Sequence, residues 1–131
     1  MSNAPHPRPL SPHLGIYKRE WTMIYSILHR FTGIGLSGGL ILMVLYLFAI
    51  ALGADAYQMA YDCASSIVGR LVLLAVSFAF FYHLANGLRH LAWDLGKGLA
   101  LDKAKASGNA VMAGAILLTI AAWAIAYYIS G

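Results

Sequence analysis

The segment HLANGLRHLAWD, residues 83–94, holds the densest set of chemically able side chains in the sequence. On a helix turning 100° per residue, Gly87, His90 and Asp94 fall within about 40° of His83. Ala79 and Ala75 continue the same line upstream. One stripe thus carries two imidazoles and a carboxylate among small residues, a pattern suited to a groove for something wide and flat. A neutral imidazole offers a lone pair to a metal such as iron. The segment SILHRFTG, residues 26–33, supplies a second set. Ser26, His29, Arg30 and Gly33 lie within about 100° of one another on one helical face.

Both sets sit at the edges of oily runs. Of the 131 residues, 60% are hydrophobic and only 11% are charged, with a mean hydropathy of +0.69. A water-soluble domain of this length needs more charge to cover its surface. Three apolar stretches, 31–51, 71–88 and 110–129, each approach the roughly 20 residues needed to cross a hydrocarbon core. The expected fold is all-α and integral to the membrane. Three transmembrane helices, at about 22–51, 66–93 and 107–129, follow an extended N-terminal leader. Residues 1–21 form that peripheral leader, and 22–131 form one anchor domain. All four prolines lie within the first twelve residues, so none interrupts a span. The polar, proline-rich opening and the long first apolar run do not fit a cleaved signal peptide. With Cys63 the only cysteine, neither an internal disulfide nor a thiolate cluster can form.

The formal charge of +4 does not imply a nucleic-acid partner, because the cations are grouped by loop. Arg8, Lys18, Arg19 and Arg30 flank the start of the first span, and Arg89, Lys97, Lys103 and Lys105 lie at or between the second and third. The connection between the first two spans carries Asp55 and Asp62, with Arg70 at its end. Basic loops stay on the cytoplasmic side, which predicts N-terminus in and C-terminus out.

Helix 1, at near 30 residues or ~45 Å, exceeds the ~30 Å core, so its first turns are expected in or beyond the headgroup layer. If Arg30 and Arg89 mark that edge, His83 lies roughly 9 Å inside it, with His29 and His90 just outside. A haem with iron at His83 and its acidic edge towards His29, Arg30 and His90 satisfies this placement. An offset of roughly 10 Å along the membrane normal would keep His29 from being the opposite axial ligand. Plainer roles exist for each residue. His83 can make an interhelical hydrogen bond. Arg30 and Arg89 can snorkel to the headgroups, Arg89 above all. His90 can be interfacial, Asp94 can cap or pair with Lys97, and Ser26 can bond its own backbone. Gly33, Gly35, Gly38 and Gly39 permit either close helix packing or room for a ligand. Thr119, Trp123, Tyr127 and Tyr128 suit an aromatic belt, and no chemistry is assigned to the third span. Spacing alone defines an intramembrane polar site.

Arg8-Pro9, S-x-x-H-R-x-T-G at 26–33 and H-x-x-x-G-x-R-H-x-x-W-D at 83–94 resemble the cytochrome b membrane-anchor subunits of succinate dehydrogenase. The likeness is to the b556, or large cytochrome b, type, and the leader PLSPHLGIYK is similar to its alphaproteobacterial and mitochondrial branch. It spans residues 8–96, without departure at any motif position.

The resemblance implies an axial haem b ligand at His83, with the opposite ligand a histidine of a second small anchor subunit. It implies ubiquinone-site residues at Ser26 and Arg30, and haem-propionate contacts at His29, Arg30 and His90. It further implies an iron–sulfur subunit and a flavoprotein as partners, in an inner membrane of a bacterium or mitochondrion. Catalysis would belong to the complex and not to this chain by itself. Arg30 and Ser26 would then stabilise negative charge developing on a quinone oxygen. Two other readings stay open: a haem-free quinone-binding anchor of a fumarate reductase-type complex, and a small transporter relaying protons through His83 and Asp94. The chain lacks the inverted repeat or broken-helix pair of many transporters.

Overall fold

Long runs of Leu, Ile, Val and Ala without proline leave the backbone only its own carbonyls as partners once water is excluded, and helices result. The computed structural model describes residues 20–130. Most of the leader expected over 1–21, including Arg8-Pro9 and PLSPHLGIYK, lies outside the described residues. Four helices follow in order: α1 (Trp21–Leu52), α2 (Ala54–Ser65), α3 (Ile67–Asp94) and α4 (Leu101–Ser130). Helices α1, α3 and α4 are long and apolar enough to cross a membrane, so the three spans stand.

Two features differ from the expectation. The 52–69 connection, to which no helix was assigned, holds α2, twelve residues long and carrying Asp55 in its first turn. Its sequence, ADAYQMAYDCAS, is too short and polar to register as a span, yet Ala, Gln and Met are good helix formers. Helix α4 begins at Leu101, six residues before the predicted 107. Leu101–Ala106 is rich in Ala and Lys, and Asp102 lies in the first turn where the helix dipole favours an acid. Hydropathy marks where lipid ends, not where a helix ends.

The connections are capped by specific residues. Gly53, with φ of 111°, breaks α1 from α2. The Ser66 side chain caps α3 by accepting a hydrogen bond from the Gly69 amide at 3.0 Å. At the other end of α3, Gly96 adopts φ of 72°. Its amide donates to the Trp93 carbonyl and that of Lys97 to the Ala92 carbonyl, closing a Schellman turn that a side chain at position 96 would strain. The indole of Trp93 then donates to the Gly98 carbonyl at 3.2 Å. This tight turn starts α4 beside the end of α3.

The spanning helices run up, down and up. Tyr25 meets Tyr82, His29 meets His83, and Gly39 lies against Val76, which fixes α1 antiparallel to α3. Arg89 meets Ala104 and Ser107, Ser77 meets Trp123, and Arg70 meets Tyr127, which fixes α3 antiparallel to α4. Trp123 and Tyr127 therefore join α4 to α3 and are more than a lipid-facing belt, whereas Tyr128 is exposed. Helix α1 touches α4 through Glu20–Lys105, Tyr25–Asn109 and Tyr25–Gly108, all at the end carrying the starts of α1 and α4. We call this the polar end.

The interior is small or polar: Ala79, Ala104, Ala115 and Gly108 are buried together with Tyr25, Thr32, Tyr82, Asn86, Arg89 and Thr119. The large aliphatic side chains face outward. Lipid tails are as apolar as leucine, so helices associate here through close approach and hydrogen bonds. Gly108 is one such point, because a Cβ there would collide with the Tyr25 ring. Gly108→Val should displace that ring, break the Tyr25–Asn109 bond and destabilise the bundle by about 1–3 kcal/mol. A lowered thermal midpoint of the detergent-purified complex would report it.

Candidate functional site

The register of α1 against α3 stacks three imidazoles near the polar end. The His29 and His83 rings lie 4.0 Å apart between centroids and 17° from parallel. His90, one to two turns further along α3, lies 5.3 Å from His29 and meets the Trp93 indole edge-on at 5.0 Å. His29, His83 and His90 are each half-buried. The expected depth offset between His29 and His83 is therefore absent, and the two are level. Arg30 is level with them, and Arg89 lies six residues, roughly 9 Å, nearer the polar end. The two arginines do not mark a single plane, which is why the offset fails.

His83 is oriented by its Nδ1 edge. That nitrogen lies 3.1 Å from the His29 carbonyl oxygen and 3.3 Å from the Thr32 hydroxyl. A carbonyl can only accept, so Nδ1 must carry the proton and Nε2 the lone pair. Among the described residues Nε2 has no hydrogen-bond partner. Gly33 faces the same ring, where a Cβ would come within 3.0 Å of Cε1. Any side chain at position 33 would press on the imidazole. Gly35 and Gly87, by contrast, face open space. Ala79 is buried between helices while Ala75 is exposed, so only part of the small-residue stripe is a groove.

Ser26 and Arg30 turn away from this cluster. Both are exposed on the outer side of α1, and among the described residues neither has a side-chain partner. The structure brings His29, His83 and His90 together and leaves Ser26 and Arg30 facing outward beside them. Asp94, at the end of α3, is exposed as well, and among the described residues the sole ion pair is Lys105–Glu20 at 3.5 Å.

Arg89 does not snorkel. It is only 7% exposed, and its guanidinium donates to Ser107 Oγ at 2.9 Å, Asn86 Oδ1 at 3.1 Å and the Ala104 carbonyl at 2.7 Å. The Trp93 ring covers it at 4.0 Å. A tight turn brings the start of α4 within reach, so the charge finds acceptors inside the bundle and need not extend to water. Tyr82 and Asn86 are fully buried on the same face of α3, at four- and three-residue steps before Arg89. The Tyr82 hydroxyl donates to the Tyr25 carbonyl at 2.9 Å, and the Tyr25 hydroxyl donates to Asn109 Oδ1. Tyr25, Tyr82, Asn86, Ser107 and Asn109 escaped the sequence analysis, and Thr32 entered it only as a motif position. The Tyr82, Asn86, Arg89 spacing was the available signal, because three polar-tipped side chains on one face of a span rarely all face lipid. Two buried nitrogens, His29 Nδ1 and Asn86 Nδ2, have no partner among the described residues.

The fold and site define a small helical membrane protein that fixes one imidazole lone pair inside a three-helix bundle and presents a cation and a hydroxyl on its outer face. The model of the succinate dehydrogenase/fumarate reductase transmembrane subunit matches residues 4–122, and the chain belongs to this family. The succinate dehydrogenase cytochrome b556 subunit of Rickettsia conorii is 40% identical over 116 residues, 88% of this chain and 90% of the relative. That of Paracoccus denitrificans is 38% identical over 113 residues, 86% of this chain and 87% of the relative. The mitochondrial cytochrome b560 subunit of Mus musculus is 42% identical over 112 residues, 84% of this chain and 66% of the relative.

The Arg89 clasp separates two physical roles. A snorkelling arginine would be replaced by lysine without penalty, whereas a three-acceptor fork would not. Arg89→Lys should lower stability by about 1–3 kcal/mol, nearly as much as Arg89→Met, because a point charge cannot span Asn86, Ala104 and Ser107 together. Thermal unfolding of the purified complex distinguishes the two roles.

Proposed function

We propose that this chain is the membrane anchor of a succinate:ubiquinone oxidoreductase, that it holds haem b through His83, and that it contributes Ser26 and Arg30 to the ubiquinone-reduction site. The observation that carries the haem assignment is the 3.1 Å contact between His83 Nδ1 and the His29 carbonyl oxygen. The ring proton is committed to that carbonyl, which leaves Nε2 as a lone-pair donor. The donor set fits the group. Among the described residues no three His, Cys, Asp or Glu side chains could hold a bare metal ion, and a lone imidazole suits a metal that brings ligands of its own, as in a porphyrin. The relatives are named cytochromes, which favours this over a haem-free quinone-binding anchor.

When bound, haem supplies one-electron chemistry. The protein residues would hold it and offset its negative charge. The His29 and His83 rings stack face to face, so the two would not hold one iron between them, and a second histidine would come from the partner anchor subunit, as the family resemblance implies. His29, Arg30 and His90 would meet the propionates, and the buried His29 Nδ1, which has no partner among the described residues, would have one there. Ser26 and Arg30 face away from the bundle, which suits a pocket completed by the iron–sulfur subunit and the second anchor. There a guanidinium and a hydroxyl would offset negative charge as the quinone is reduced. The flavoprotein would oxidise succinate outside the membrane.

The cations grouped near the start of α1 and in the α3–α4 turn support a topology with both on the inner side, towards those soluble partners. The protein is a multi-pass protein of the bacterial inner membrane, or of the mitochondrial inner membrane in a eukaryote. A proton relay between His83 and Asp94 is not favoured. His83 Nδ1 is bonded to a carbonyl, which cannot pass a proton on, and Asp94 is exposed at the helix end.

Two substitutions test the assignment. His83→Ala should abolish the haem signal in reduced-minus-oxidised spectra of the isolated complex, and a full signal would end the case for His83. Arg30→Leu should slow succinate–quinone reduction by about 10²-fold while succinate oxidation by an artificial dye persists. Loss of both activities together would mark an assembly defect in place of a quinone-site role.

A further inference from the structure

Thr32 is buried within the bundle, only 6% exposed, on the face of α1 that meets α3. Its hydroxyl donates to the His29 carbonyl one turn back at 2.9 Å. That same carbonyl is the closer acceptor for His83 Nδ1, at 3.1 Å. With its own proton spent on the carbonyl, the Thr32 oxygen turns its lone pairs to Nδ1 at 3.3 Å. Two acceptors of different kinds, a carbonyl and a hydroxyl tied to it, therefore share one N–H. A β-branched side chain has few χ1 options in a helix, and this carbonyl bond is one that selects among them. Gly33 closes the arrangement at Cε1.

We infer that Thr32 is a positioning residue for His83: its hydroxyl holds the Nδ1–H edge of the imidazole, and through it sets the ring's rotation and the donor strength of Nε2. The inference rests on the assignment of His83 as a haem ligand. Hydrogen bonding at the non-ligating nitrogen draws the proton outward and makes the other nitrogen more basic. A more basic axial ligand favours ferric over ferrous iron. Removing the hydroxyl weakens that effect and releases one constraint on rotation, while the carbonyl bond remains.

The test uses the intact complex with three versions of this chain: wild type, Thr32→Val and Thr32→Ser. Valine preserves the shape without the hydroxyl, and serine keeps the hydroxyl without the methyl. Potentiometric titration and low-spin haem electron paramagnetic resonance are read on each. Thr32→Val should shift the haem midpoint to more positive potential and move the largest g value, with haem content unchanged, while Thr32→Ser stays at wild-type values. Loss of haem from Thr32→Val with full, unshifted haem in Thr32→Ser would also support the role. Wild-type midpoint and g values in Thr32→Val overturn it, even if thermal stability falls. An equal shift in both variants overturns it too, since packing of the methyl would then be responsible. A wild-type complex without haem, or full haem in His83→Ala, would instead remove the His83 assignment on which the Thr32 role depends.

Discussion

Neighbouring residues on α3 grip two carbonyls one turn apart on α1: the Tyr82 hydroxyl reaches Tyr25 and the His83 Nδ1 reaches His29. Each grip is an ordinary hydrogen bond, of a kind that contributes about 1 kcal/mol. Together they determine both the axial register and the relative rotation of the helices. A slide of one residue would separate both donors from their acceptors. Everything else at the polar end depends on this register, including the stack of His29 on His83 and the fit of Gly33 beneath the ring.

The third helix reinforces the register without supplying any of the imidazoles. Arg89 is held by Ser107 and Ala104 of α4, and Tyr25 by Asn109. Gly108 lets α4 approach closely enough for both. A guanidinium in this position has no carboxylate partner among the described residues and is stabilised by three neutral acceptors and the face of Trp93. Such an arrangement is viable because the desolvation cost of the charge is met by fixed dipoles. It keeps the end of α3, and with it His90, in place against α1.

The site is divided between an inside and an outside. The imidazoles lie between helices, while Ser26 and Arg30 are exposed on the outer surface of α1, within about one turn of His29. None of the most apolar stretch of α1 is buried within the chain, and Gly35 and Gly38 face open space. This helix thus offers two chemically distinct faces at one depth. The proposed division of labour, with His29 turned to the haem, Ser26 to the quinone and Arg30 shared between them, rests on a rotation of about 100° between successive side chains, with His29 and Arg30 adjacent in sequence.

Hydropathy made the three spans legible because the length of a membrane-crossing helix is set locally, by a rise of ~1.5 Å per residue against a core of ~30 Å. Periodicity likewise placed His83 and His90 on one stripe, since that depends on a single helix. It could not reveal α2 or the early start of α4, which extend beyond the apolar stretches. Nor could it place His29 level with His83 or turn Arg89 inward. Those outcomes were decided by contacts between helices, through backbone carbonyls, a threonine hydroxyl and the space above two glycines. Such groups leave no trace in hydropathy, and their pairing exists only once the helices have met. The sequence by itself determined the spans and the angular order of residues around each of them; the tertiary structure alone decided where one face ends and the next begins, as between His29 and Arg30, and which faces and levels come together.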